Sequence, residues 1–113
     1  MSPSDREPVG VRIALITAPD AETGARLGRA LVEERLAACV NLVPGVRSIY
    51  RWEGQVQVEG EVLLIVKTRS DRADALAARV LELHPYEVPE VIHLEPCGGS
   101  AAYLDWVRAE VAP

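Results

Sequence analysis

The sequence lacks long apolar runs, basic clusters and closely paired cysteines, and each absence excludes a class of protein. No stretch approaches the roughly 18 apolar residues of a membrane-spanning helix. Twelve basic side chains against seventeen acidic ones give a net charge of −5 without a basic cluster, which argues against nucleic-acid binding. Cys39 and Cys97 form no C-x-x-C pair, which favours free thiols in a reducing compartment.

The N-terminal residues 1–8 are polar and lack the apolar stretch of a secretory signal. We therefore expect a short disordered tail (1–8), followed by a single domain (9–113) in the cytoplasm. No repeat, linker or low-complexity segment divides the chain. A hydrophobic content of 49% with 26% charged residues is typical of a soluble globular domain.

The hydrophobic pattern predicts four strands and three helices in the order β-α-β-β-α-β-α, a ferredoxin-like split βαβ sandwich of the α+β class. Asp20 is expected to cap a helix that runs to about Leu36, and Ser70 or Asp71 to cap a second helix that ends at His84-Pro85. Ser100 is expected to cap the last helix. The predicted strands are Val9–Thr17, Cys39–Trp52, Gln55–Thr68 and Val88–Leu94.

Three features refine this plan. Pro44-Gly45 interrupts the second strand and predicts a bulge, because proline cannot donate to a strand ladder. The first helix places Gly24, Leu27, Gly28, Leu31 and Val32 on its buried side, where the glycines allow a close approach to the sheet. Finally, the first and third strands are apolar on both faces near their ends, which predicts that self-association covers the second face.

Several blocks of sequence resemble the CutA (divalent-cation tolerance) family, in the same order over about Val9–Val107. These blocks are Thr17-Ala18-Pro19-Asp20, Glu34 to Asn41, Ser48 to Gly54, Lys67-Thr68, His84-Pro85-Tyr86 with Pro89-Glu90, and Tyr103-Leu104-Asp105-Trp106. The resemblance implies a tight homotrimer with the architecture of PII signalling proteins and a role in the response to divalent metal ions such as copper. Family members credited with metal ligands have Cys before Thr-Ala-Pro-Asp and two His before Pro-Tyr, where this chain has Ile16, Leu83 and His84.

The expected function is that of a binding protein, and two kinds of site remain open. A small ligand or a metal ion is expected in clefts between subunits, and the residues that could meet there are Cys39, Trp52, Glu61, Lys67, Tyr86 and Glu90. His84 is the candidate metal ligand, with Glu87 or Glu90 beside it, and would bind copper or another divalent metal weakly. The alternative role for His84 is to close a helix C-terminus. Cys39 is either an inert buried thiol or a thiolate activated by Lys67, the one lysine.

Other functions fit the sequence less well. A PII-like trimer that docks a partner and has no metal role is the main alternative. An acylphosphatase-like hydrolase would share the fold, but the chain has a single asparagine, Asn41, and no glycine-rich phosphate loop. Ser-His-Asp, G-x-G-x-x-G and H-E-x-x-H arrangements are also missing. Stacking aromatics for RNA are absent from the aliphatic segment Val62 to Val66. We therefore predict that the protein is not an enzyme.

Overall fold

The computed structural model describes residues 9–113, and the predicted tail 1–8 lies outside the described residues. The sheet contains strands β1 (Val11–Ala18), β2 (Cys39–Trp52), β3 (Gln55–Arg69) and β4 (Val91–Leu94). The helices are α1 (Ala21–Glu33), α2 (Ala73–Leu83) and α3 (Ala101–Glu110). The strands lie in the order β2-β3-β1-β4, with every neighbouring pair antiparallel. The predicted ferredoxin-like βαββαβ plan with an added helix is therefore confirmed.

Helix α1 begins as predicted and ends earlier than predicted. The Asp20 carboxylate accepts a hydrogen bond from the Thr23 amide at 2.7 Å, which is the expected N-cap. The helix ends at Glu33 rather than Leu36 because Arg35 adopts a left-handed backbone conformation (φ 59°). The expectation that Val32 is buried is wrong: it lies at the margin of the apolar stripe and is 41% exposed.

The two glycines of α1 allow the helix to lie directly on the sheet. A Cβ atom added to Gly24 would lie 3.0 Å from Leu42 Cδ2, and one added to Gly28 would lie 3.0 Å from Val40 Cγ1. Both distances are shorter than ordinary van der Waals contact. The predicted close approach of α1 to the sheet is therefore confirmed.

We expect Gly28→Ala to destabilise the fold by about 1–3 kcal/mol, although alanine is the better helix former. The added methyl group would displace Val40, which packs against the core. Urea unfolding followed by circular dichroism measures the change. Gly60→Ala is the control because nothing lies within 4 Å of its added Cβ. Equal stability of the two variants would contradict the close-packing argument.

The second helix starts differently from the prediction. Neither Ser70 nor Asp71 caps it, because a short 3₁₀ turn over Ser70–Arg72 precedes the helix. The Asp71 carboxylate instead accepts two hydrogen bonds from the Arg69 guanidinium at 2.8 and 2.9 Å. The helix ends before His84 as predicted, and Ser100 caps α3 as predicted. Strand β4 begins at Val91 rather than Val88, so residues 84–90 form a loop.

The sheet has one face buried by α1 and α2 and a second face, here called the outer face, that only α3 partly covers. Tyr103 of α3 lies against Cys39, which places the helix over one end of the outer face. The rest of that face is apolar, with Leu63 and Ile65 of β3 flanked by Leu15 of β1. On the edge strand, Ile92 is 49% exposed and Leu94 46% exposed. The prediction of an apolar second face is confirmed.

The predicted bulge at Pro44-Gly45 is confirmed, and it changes which side chains of β2 share a face. The register moves from Val43 opposite Leu63 to Val46 opposite Glu61, so three steps on β2 oppose two on β3. The residues of β2 on the outer face therefore change from odd to even numbers after Gly45 (φ 75°). Without this bulge, Tyr50 and Trp52 would point away from the outer face.

Strands β2 and β3 continue past the end of β1 as a hairpin, here called the arm (residues 46–61), in a molecule 55 Å long. Its turn is Glu53-Gly54, with φ angles of 50° and 78°. Two positive φ angles in a two-residue turn match the right-handed twist of the strands. The predicted hairpin tip is therefore confirmed. None of the helices in residues 9–113 has the length and apolarity needed to span a membrane.

Candidate functional site

A groove of about 850 Å³ lies on the outer face, between the arm and the loop 84–90. Strand β1 ends at Ala18, opposite Val62, and therefore leaves the arm uncovered from Glu61 onwards. The loop that follows α2 fills one side of this gap, and Thr17 at the end of β1 forms part of the floor. The groove thus exists because β3 is longer than β1 and because the loop folds back towards it.

His84 anchors the loop. It is 7% exposed, and its Nε2 lies 2.7 Å from the Thr17 carbonyl oxygen while its Nδ1 accepts a hydrogen bond from the Tyr86 amide at 3.1 Å. Because Nδ1 accepts, the ring proton is on Nε2 and is donated to Thr17. The ring also packs against the Tyr86 ring, with centroids 4.7 Å apart. His84 thereby fixes the position of Tyr86.

The Tyr86 hydroxyl donates a hydrogen bond to Glu61 Oε2 at 2.9 Å, across the groove from loop to arm. Glu61 is only 8% exposed, although it carries a carboxylate. Burial, together with the neighbouring Glu61 carboxylate, raises the pKa of Tyr86 well above its usual range. The hydrogen bond to Glu59 is the main cause that raises the pKa of Tyr50. Both phenols therefore serve as neutral donors to carboxylates.

We expect the tyrosines to ionise at a higher pH than an ordinary phenol, whose pKa is about 10. The chain has three tyrosines, and the pKa of each is raised in the fold. A raised pKa stabilises the fold fully below pH 10, and this contribution is lost as the pH rises through the folded-state value. Titration followed by the ultraviolet absorbance of phenolate measures the ionisation of the tyrosines. Tyr86→Phe should remove the last phase of ionisation, and a single phase near pH 10 in the native protein would contradict the geometry.

The groove has an acidic lining with aromatic side chains. Among residues 9–113, four glutamates line it and no lysine or arginine does. Within residues 9–113, none of these carboxylates lies within 4 Å of a cationic group. The aromatic lining consists of Tyr50 and Trp52 from β2 and Tyr86 from the loop. The four glutamates are Glu59, Glu61, Glu87 and Glu90.

The predicted ligand residues separate into two clusters in one subunit. Trp52, Glu61, Tyr86 and Glu90 line the groove together. Cys39 and Lys67 lie at the other end of the outer face, where Lys67 Nζ donates to Asn41 Oδ1 and is 3.9 Å from Cys39 Sγ. Lys67 lies six residue steps along β3 from Glu61, which corresponds to about 20 Å. One chain by itself therefore does not bring all six residues together.

The hydrogen bonds of His84 bear on its predicted role as a metal ligand. Both ring nitrogens already have hydrogen-bond partners, so coordination would require the loss of one bond. In the described part of the chain, no group of three or more His, Cys, Asp or Glu residues is placed to hold a metal ion. Ile16 is fully buried, and neither it nor Leu83 can donate. The residues present do not form a preassembled metal centre, and His84 as a ligand stays a prediction.

Sequence reasoning missed Tyr50, Gln57 and Glu59 as groove residues. The signal was present in part, because the bulge at Pro44-Gly45 shifts Tyr50 onto the same face as Glu59. Glu87 was predicted only as a possible metal ligand beside His84, and the structure places it in the groove lining. Both cysteines are free thiols in the structure, with Cys97 exposed and Cys39 half-buried.

Comparison with known proteins gives a consistent result. The sequence model of the family described as "CutA1 divalent ion tolerance protein" matches residues 12–110. The divalent-cation tolerance protein CutA of Thermus thermophilus is 52% identical over 96 residues, which are 85% of this chain and 93% of that protein. The chloroplastic protein CutA 1 of rice is 49% identical over 85% of this chain, which spans 54% of the rice protein. A solved structure of the Thermus thermophilus protein superposes with a TM-score of 0.88 at 49% identity, covering 90% of this chain and 99% of that one.

Proposed function

Since the chain belongs to the CutA1 divalent ion tolerance family, we propose that it is a homotrimeric, non-enzymatic binding protein in the response to divalent cations. Its ligand site is the groove between the arm and the loop 84–90. The observation that carries this proposal is the convergence of three aromatic side chains with a nine-tenths buried carboxylate, Glu61, in one groove. Concave sites that combine apolar walls with a few placed polar groups are typical of ligand binding.

The outer face supports the homotrimer. Its apolar part extends to Ile92 and Leu94 on the edge strand β4, which are exposed in the single chain. A PII-like arrangement of three copies would turn these faces towards one another. It would also place the groove of one subunit and the Cys39–Lys67 cluster of another near shared clefts, where the six predicted residues would meet. Location in the cytoplasm stays a prediction.

A genetic test addresses the proposed role directly. Removal of the gene from its source organism should lower growth in graded copper and zinc sulphate, and the native gene should restore it. A Glu61→Lys gene should fail to restore growth because the added ammonium would occupy the groove, whereas Glu22→Lys, on the exposed side of α1, should succeed. Equal growth of the deleted and native strains at every metal concentration would overturn the proposal.

Copper itself is expected to bind weakly. Tight coordination needs three or four fixed donors, and the described residues offer His84 with a carboxylate from Glu87 or Glu90. We expect a dissociation constant no tighter than about micromolar, equivalent to roughly 8 kcal/mol of binding free energy. His84→Ala should remove most of the binding and Cys39→Ser little. Calorimetric titration with copper measures this, and nanomolar binding that requires Cys39 would place a metal site at the other cluster.

A second candidate function is a trimer that docks a protein partner and has no metal role. The arm favours it, because Val56 is 61% exposed and Val58 57% exposed on the side of the arm that faces away from the groove. Exposed aliphatic side chains on a projecting hairpin are typical of interaction surfaces. A gene with Val56→Ser and Val58→Ser should then fail to restore growth in the deleted strain, without changing assembly or groove binding. If growth is retained, the docking role is excluded.

A further inference from the structure

We infer that the groove takes an organic cation, a molecule with an ammonium or amidinium-type head group and an apolar body. This inference rests on the proposed function of the groove as a ligand site and names the chemical class of its ligand. It follows from three observations: an uncompensated buried carboxylate, aromatic walls, and a spacing of carboxylates that suits a molecule better than a metal ion.

The buried carboxylate comes first. Glu61 is 8% exposed, and its sole hydrogen-bond partner in residues 9–113 is the neutral Tyr86 hydroxyl. Removing a carboxylate from water costs several kcal/mol unless an opposite charge compensates it. Glu59 lies two residues away on the same face, which adds a second negative charge to the same wall. The groove therefore attracts a positive group.

Residues 9–113 of one subunit supply no such group to the groove, and the single lysine that another subunit would bring in the proposed trimer could offset only one of the four glutamates. Lys67 lies on the same face, but about 20 Å along β3. Arg47 and Arg51 belong to the arm, but they alternate with Tyr50 and Trp52 and point to the opposite face. Among the described residues, the salt bridges of the remaining arginines are made to acidic residues outside the groove.

The aromatic side chains determine the kind of cation. Tyr50, Trp52 and Tyr86 line the same groove as Glu61. Aromatic faces attract organic cations through the ring quadrupole and also bury the apolar body that such cations carry. A hydrated metal ion gains nothing from these walls. Aromatic and acidic side chains together are thus complementary to an amine or amidine.

The positions of the carboxylates point the same way. Hard divalent ions need six or more oxygen ligands at 2.0 to 2.6 Å, roughly, around one point. In residues 9–113 no three acidic, His or Cys side chains converge in this way. The four glutamates are instead distributed around about 850 Å³. A molecule with several atoms can reach carboxylates that a single ion cannot.

Calorimetric titration of the full chain tests the inference with a matched pair of probes. Benzamidinium is a planar cation with an aromatic body, and benzamide is its neutral counterpart. We expect benzamidinium to bind at least about tenfold more tightly than benzamide, because only the cation compensates Glu61. Glu61→Gln should weaken benzamidinium binding by at least about tenfold, and Trp52→Ala should weaken it too. Glu22→Gln, an equal charge change outside the groove, should leave benzamidinium binding unchanged. Magnesium chloride at the concentration of the probe should also leave it unchanged.

The outcomes separate this inference from the proposed function. Equal binding of benzamide and benzamidinium, or no effect of Glu61→Gln, overturns the cation inference and leaves the groove as a ligand site. If benzamidinium does not bind, and Glu61→Gln and Lys67→Met both lower the assembly mass in light scattering, the compensating charge is the lysine of a second copy. The cation inference is then wrong. The growth test in metal salts addresses the proposed function independently.

Discussion

Light scattering of the purified protein is expected to give about 37 kDa, three times the chain mass of 12.3 kDa, and Leu94→Glu is expected to abolish that mass. Leu94 is 46% exposed in the single chain and pairs with Ile13 on the outer face. A monomer would tolerate a glutamate at this position, because the side chain would be in contact with water. In a trimer it would place three carboxylates in an apolar interface, at a cost of several kcal/mol each.

The control is Leu81→Glu, which changes an exposed leucine on α2, on the opposite side of the sheet. This variant should retain the mass of about 37 kDa and the native circular dichroism. Leu94→Glu should lose the trimer and, with it, part of the resistance to heat, because the predicted association would stabilise the folded subunit. A native protein that scatters as a stable 12 kDa monomer, or a Leu94→Glu variant with unchanged mass, would contradict the predicted assembly.

His84→Ala is expected to lower the free energy of unfolding by about 2–4 kcal/mol. The substitution removes the hydrogen bond to the Thr17 carbonyl, leaves the Tyr86 amide without its acceptor, and opens a cavity where a 7% exposed ring had packed. Urea unfolding measures the loss. The same substitution should free the loop 84–90 from the sheet, so the pKa of Tyr86 should fall towards its ordinary value.

Two comparisons make the role of His84 specific. His93→Ala should change stability little, since the buried His93 Nδ1 has no partner within the described part of the chain. His84→Gln should recover part of the loss, because an amide can still donate to the Thr17 carbonyl. If His84→Ala instead unfolds no more easily than the native protein and leaves the Tyr86 titration unchanged, the loop is held by other contacts.

The predictions that proved accurate depend on short stretches of sequence. Asp20 and Ser100 were recognisable as helix caps because a cap needs only one side chain and the amide three residues later. The bulge at Pro44-Gly45 and the turn at Glu53-Gly54 follow from the backbone preferences of proline and glycine. The second helix was less predictable, since the ion pair of Asp71 with Arg69 competes with capping.

The groove shows the limit of local reasoning. Four of the six predicted ligand residues line it, but Cys39 and Lys67 do not, although all six belong to the blocks shared with the family or to the strand beside them. The distance between Cys39 and Lys67 and the groove depends on how far β3 extends past β1, and this is set by the register of the two strands. Tyr50 of β2 lies on the same face as Glu59 of β3 only because the bulge shifts the numbering of β2 against that of β3.

The sequence alone thus determined the order of elements, the caps of the first and last helices, the bulge, the apolar second face and the family resemblance, because each depends on neighbours within a few residues or on a repeating pattern. Only the tertiary structure decided that the loop 84–90 folds back onto β1 through His84, and that Tyr86 meets Glu61 there. These contacts join residues 25 and 67 positions apart. Which distant side chains meet is set by strand length, register and loop path together, and no local pattern encodes all three.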